Sequence, residues 1–149
     1  MQDGRASHSQ SDLLALIGLQ GGLGVLGIEA KVDEGFDRTV DEWRAHPSPG
    51  KEARLTKLCA LFGFDPAQIG HLRYQLLHRT AAAVLEATRS RARHAAVIIQ
   101  SWSPADDGFS DYLLFLQALG LREIGRRELS GVRHLEGVEL RTAWSSEAG

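Results

Sequence analysis

Apolar positions along the chain fall into short blocks separated by Gly-, Pro- and Ser-containing breaks. From Asp12, "DLLALIGL" is short, apolar and rich in branched side chains; "QGGLG" interrupts it and "VLGIEAKV" resumes the pattern. Two such runs about a Gly-rich turn predict a β-hairpin. Both runs are apolar on both faces near the turn, which predicts a sheet covered on both sides. "DRTVDEWRAH" then reads as a short helix with Val40 and Trp43 on one side, ended by "PSPG". "KEARLTKLCALFG" is a second amphipathic helix: Leu55, Leu58, Leu61 and Phe62 follow helical spacing, and Gly63 suits its C-terminal cap. After the loop "FDPAQIG", "HLRYQLLHRTAAAVLEATRSR" gives the longest helix, with Leu72, Leu76, Ala83, Val84 and Ala87 in its buried pattern. "HAAVIIQSW" is continuously apolar and predicts a central strand. "SPADDGFSDYLLFLQALG" reads as a loop and then a helix from near Ser110. The remainder holds one or two strands about a Gly-containing turn, of which "VELRTAW" is the stronger. The order β-β-α-α-α-β-α-β predicts an α/β arrangement with a mixed sheet.

Composition narrows the class. A chain of 149 residues suits one domain, 1–149, with residues 1–11 as a polar arm. It is 43% hydrophobic, enough for a substantial core. No apolar run reaches the roughly 18 residues of a membrane span, and "MQDGRASHSQSD" contains no signal-peptide core. A cytoplasmic protein with no membrane partner is expected. The single cysteine, Cys59, excludes an internal disulfide and a multi-cysteine zinc site. Its place on an amphipathic helix predicts a buried thiol.

The net charge of −2 excludes a polycation, but the distribution is uneven. Residues 71–94 hold Arg73, Arg79, Arg89, Arg91 and Arg93 against the single acid Glu86, a local charge of +4. Such a stripe either faces phosphates or forms a solvated helix face. Arginine outnumbers lysine 14 to 3, a bias attributable to genome composition, so arginines alone carry little information.

Candidate chemistry sits at the end of the second hairpin strand. Side chains alternate along a strand, so Glu29, Lys31 and Asp33 share one face. If the loop is Gly21-Gly22, Gln20 pairs with Leu23 and Asp12 falls opposite Lys31. Asp12, Glu29 and Lys31 then form one cluster, a match that a one-residue change in the loop would break. Two neighbouring carboxylates can hold a hard divalent cation such as Mg²⁺ together with water and a substrate phosphate. A lysine beside them can orient the attacking water and stabilise charge on the phosphate. A surface ion pair of little energetic value is the plainer reading of Glu-x-Lys.

An acid opening one hairpin strand, followed by "IEAKV" on the next, resembles the PD-(D/E)xK signature of the restriction-endonuclease-like superfamily. The stretches "SQSDLLAL", "IEAKVDEGFD", "EW", "PSPGKEARL" and "RYQLLHRTAAAVLEA" are more closely similar to an uncharacterised bacterial family associated with that superfamily, over roughly residues 5–120. The resemblance implies a restriction-endonuclease-like mixed sheet flanked by helices. It implies Asp12 and Glu29 as ligands of Mg²⁺ or Mn²⁺, Lys31 as the catalytic lysine, and Gln75 as a support from the following helix. Arg73, His78 or Arg79 would touch phosphate, and Asp33 and Glu34 would either assist the metal or simply end the strand. The first helix and strand that open such a core have no counterpart in the eleven residues before Asp12. The resemblance therefore implies an N-terminally truncated core with an unpaired sheet edge, open to a partner or a second copy.

Other sites are weaker. "GGLG" is a turn and not a phosphate loop, because no Gly-Lys-Ser/Thr or helix follows. The six histidines show no metal spacing. Ser101 and Ser103 lack a nucleophile elbow. Asp106 and Asp107 read as loop and helix-start residues, and Trp43 and Tyr74 as core in preference to base-stacking platforms. Two functions are expected: a Mg²⁺-dependent phosphodiesterase acting on DNA or RNA, or a non-catalytic interaction or regulatory module that keeps the fold.

Overall fold

The computed structural model describes residues 13–31, 35–103 and 105–146. Five strands form one mixed sheet in the order β1-β2-β3-β5-β4. They are β1 (Leu13–Leu19), β2 (Gly22–Lys31), β3 (His94–Ser101), β4 (Arg133–Leu135) and β5 (Val138–Ser146). Strands β2, β3 and β5 run parallel, with β1 and β4 antiparallel at the two edges. The continuously apolar β3 is central, as its sequence predicts.

The hairpin closes differently from the expectation. Leu19 pairs with Gly22, so the loop is Gln20-Gly21. Gly22 takes φ +131, a conformation that favours glycine. Leu13 therefore lies opposite Ile28, two positions earlier on β2 than a Gly21-Gly22 loop would place it. A two-residue shift leaves every side chain on its expected face, because the period of a strand is two. The expected Asp12–Lys31 pairing involves a residue outside those described.

Among the described residues four helices accompany the sheet: α1 (Val40–Trp43), α2 (Pro49–Phe62), α3 (Tyr74–Arg89) and α4 (Phe109–Ala118). Thr39 and Glu42 form a reciprocal capping box on α1. "PSPG" does more than end that helix: Ser48 caps α2 by accepting from the Lys51 N–H, and Pro49 occupies its first turn. Gly63 ends α2 in the left-handed region at φ +74.

All four helices pack on the same face of the sheet. The crossovers β2-α3-β3 and β3-α4-β5 both step in one direction across the sheet. Right-handed connections then place both helices on one side. The buried residues agree: Val25, Ala95 and Leu140 stand in one cross-strand row and are 1%, 3% and 0% exposed. Around them lie Phe62, Leu76, Leu77, Phe115, Leu116 and Trp144 in a single core. The other face is not covered by any described helix, which corrects the expectation of a sheet buried on both sides. Leu13, Ile28, Ile98, Ala143 and Leu129 form an apolar row across it, from edge to edge. The edge strand β1 carries no charge, and Leu13, Leu14, Leu16 and Leu19 are all substantially exposed.

Candidate active site

The C-terminal ends of the three parallel strands meet at Lys31, Ser101 and Ser146, which are level in the sheet. In open α/β sheets this end is where ligands bind. Odd-numbered positions of β2 face α3, so Glu29 and Lys31 point into the helical layer and are 3% and 4% exposed. Burial of an ion pair this complete distinguishes it from a surface Glu-x-Lys.

Helix α3 supplies the partners. Gln75 and Arg79 are four residues apart and occupy one helical face. Gln75 bridges the strand charges: its Nε2 donates to Glu29 Oε1 at 2.6 Å, and its Oε1 accepts from Lys31 Nζ at 2.6 Å. The amide is therefore oriented by both neighbours at once. Lys31 Nζ lies 3.5 Å from Glu29 Oε1 and 5.4 Å from the centre of the Phe36 ring. Arg79 Nε reaches Glu29 Oε2 at 3.1 Å. Among the described residues the cluster thus contains one carboxylate, two cations and an amide that ties the carboxylate to the ammonium.

The expected site residues divide on this geometry. Glu29, Lys31, Gln75 and Arg79 converge. Gln75 sits inside the cluster and does not merely cap a loop. Arg73 does not converge: it donates to the Asp37 carbonyl at 2.8 Å and pairs with Asp111 at 3.2 Å, so it ties α3 to its neighbours. It is the N-cap residue of α3. The arginine stripe also breaks up. Arg89 pairs with Glu86 at 2.7 Å, at the far end of α3, about 15 Å along the helix from Arg79. Asp12, Asp33 and Glu34 lie outside the described residues.

Metal fit follows from the donors. Among the described residues no group of three His, Cys, Asp or Glu side chains is placed to hold an ion. Glu29 is the one buried carboxylate of the cluster among the described residues, and it already accepts from Gln75 and faces Arg79. Mg²⁺ needs only one or two protein carboxylates if water and substrate complete its shell, so Glu29 fits as one ligand. The flanking cations fit a phosphate better than they fit a lone metal.

The other candidates resolve as structural groups. Cys59 is buried, and burial pushes its thiol above the ordinary range. Ser101 Oγ accepts from the Ser103 N–H at 3.3 Å, and Ser103 Oγ donates to Asp107 at 3.2 Å. Asp106 holds more than its sequence suggests. It takes φ +54, accepts from Trp144 Nε1 at 2.9 Å, and is hydrogen-bonded by Arg126. Arg126 in turn sits 4.1 Å from the Phe109 ring centre. Burial pushes the Asp106 carboxyl up, but the hydrogen bonds from Arg126 and Trp144 and the charge of Arg126 outweigh it and hold the carboxyl below its usual range. No local pattern connects residues 106, 126 and 144, so this lock was not legible in the sequence.

No curated protein and no solved structure matches the chain. A family model does, over residues 1–148, and the chain belongs to the family it describes, Domain of unknown function (DUF6946).

Proposed function

We propose that the domain is a Mg²⁺-dependent phosphodiesterase acting on nucleic acid, built on a restriction-endonuclease-like core. The observation that carries this reading is the burial of Glu29 and Lys31 at the carboxyl end of β2, joined through Gln75. A buried ion pair is costly to desolvate and is weak as a source of stability, so its presence at a ligand-binding sheet edge favours chemistry. Glu29, with Asp12, would hold the metal. When bound, such an ion supplies charge stabilisation at the phosphoryl oxygen and acidifies a water. Lys31 orients the attacking water and balances charge that develops on the phosphate. Arg79 contacts a non-bridging phosphate oxygen, exchanging part of its interaction with Glu29 for one with substrate. Gln75 fixes the spacing of Glu29 and Lys31 before substrate arrives, so little reorganisation is needed.

The test pairs cleavage with metal binding. Wild type, Glu29→Ala and Lys31→Ala are assayed on DNA and RNA with Mg²⁺ or Mn²⁺, and Mn²⁺ binding is titrated calorimetrically. Lys31→Ala is expected to lower cleavage by about 10²-fold or more, as loss of one charge-stabilising group does, and to retain metal. Glu29→Ala is expected to lose both. Equal metal binding by wild type and Glu29→Ala sinks the metal site, and a wild type inert with every divalent ion sinks the enzyme.

A second reading has its own support. The uncharged β1 edge and the apolar row from Leu13 to Leu129 are features that a partner or a second copy covers. An inert wild type that sediments as a dimer, and becomes monomeric on Leu16→Glu, favours a non-catalytic interaction module.

A further inference from the structure

Beside the Glu29–Lys31 cluster three aromatic rings form a ladder. Trp43 and Tyr74 are 4.2 Å apart between ring centres and 10° from parallel; Tyr74 and His78 are 5.8 Å apart and 23° from parallel. Trp43 is buried and Tyr74 half-buried, so the core holds the first two rungs. His78 is exposed and ends the ladder at the surface. Tyr74 and His78 are one helical turn apart, as are Gln75 and Arg79 in the adjacent row of α3. The two rows border one open cavity of about 200 Å³, with Arg38 and Trp43 on its other side. Gln75 and Arg79 belong to both this cavity and the buried cluster, so the cavity opens directly onto the place assigned above to the reacting phosphate.

We propose that this cavity is a subsite for one unpaired nucleobase, and that the substrate is single-stranded nucleic acid. The inference rests on the reading of Glu29 and Lys31 as a phosphodiester site and names its substrate class. A base enters with its ring on the His78–Tyr74 ladder. The phosphate on one side of its sugar lies at Arg79, and the next lies near the exposed Arg38. Aromatic ladders beside cations suit single strands because every base has a π-face and the backbone supplies the charge. A duplex supplies the charge but no free π-face: its base faces are stacked on one another, and only their edges reach the grooves. The cavity is also too small for a base pair. Core packing alone accounts for Trp43 and Tyr74. His78 continues their stack into a cavity lined by Arg38 and Arg79, with Asp37 beside them.

The test is equilibrium binding of the full chain to a fluorescein-labelled single-stranded 12-mer and to the matching duplex, in chelator so that cleavage does not enter. The wild type is expected to prefer the single strand. His78→Ala is expected to weaken single-strand binding about 5- to 100-fold, the range for loss of stacking on one base. His78→Phe, which keeps a ring and removes any charge, is expected to bind within about twofold of wild type, and duplex binding is expected to be unchanged by either substitution. Equal single-strand affinity of wild type and His78→Ala, or an equal loss in His78→Phe, overturns the subsite. So does an absence of binding. A wild type that cleaves but binds single strands without regard to the ring at 78 keeps the nuclease and removes this subsite. One that never cleaves yet shows ring-dependent binding keeps the subsite and removes the nuclease.

Discussion

Glu29, Lys31 and Arg79 make an unequal charge set, and the inequality predicts which substitution the fold tolerates. Among the described residues the cluster has two cations and one carboxylate. Glu29→Gln keeps the side-chain shape and the hydrogen bond from Gln75, but removes the buried carboxylate charge that Lys31 and Arg79 both face. Breaking a buried pair in this way costs about 3–5 kcal/mol. The Arg79 side chain is 36% exposed and is relieved in part by water, so the low end, about 3 kcal/mol, is expected. For a chain of this size that lowers Tm by roughly 6–12 °C. Lys31→Met has the opposite character. It removes a buried ammonium, keeps an unbranched apolar stem, and leaves Glu29 opposite Arg79 and hydrogen-bonded to Gln75. It does take the donor from the Gln75 Oε1, which is only partly buried, so its cost is expected near the low end for an unpaired acceptor, about 1 kcal/mol. Urea unfolding at pH 7 in chelator, followed by tryptophan fluorescence, measures both. A Lys31→Met variant as unstable as Glu29→Gln, or a neutral Glu29→Gln, refutes the charge count.

Two further outcomes follow from groups outside the site. The Asp106 carboxyl is held below its usual range, so its ionised form stabilises the fold above its unfolded value of about 3.9, and this contribution is lost as pH falls from there through the folded value. Asp106→Asn is therefore expected to show a lower stability at pH 6 and a shallower acid limb below pH ~4 than wild type, measured as urea midpoints across that range. Tyr112 shares a buried 2.7 Å hydrogen bond with Thr142, and burial pushes its phenol up to about 12. Its neutral form is favoured by folding, so stability is expected to fall as pH rises from about 10, where the unfolded phenol ionises, towards 12. In a spectrophotometric titration the Tyr112 phenol should resist ionisation until that range, and Tyr112→Phe should remove the late step at a cost of about 1 kcal/mol.

The elements themselves were written in local pattern. Alternation in "IEAKV" placed Glu29 and Lys31 on one face. The continuous apolarity of "HAAVIIQS" marked β3 as central. These survive because they depend on period alone. The hairpin register shows how narrow that protection is: the loop moved by one residue, the pairing by two, and the faces stayed correct only because two is the period of a strand. The prolines of "PSPG" stop the preceding helix, while the same Ser-Pro pair starts the next one.

Local sequence therefore determined which residues form strands and helices and which side chains share a face, since both follow from backbone periods of 2.0 and 3.6 residues. Tertiary structure alone decided three things. It set Gln75 between Glu29 and Lys31, separated from them by 46 and 44 positions. It sent Arg73 and Arg89 to structural acids, dissolving the arginine stripe. And it left one sheet face without a described helix, because two right-handed crossovers stepping the same way put every described helix on the other. Each depends on the direction in which the chain returns to the sheet, which no local periodicity encodes.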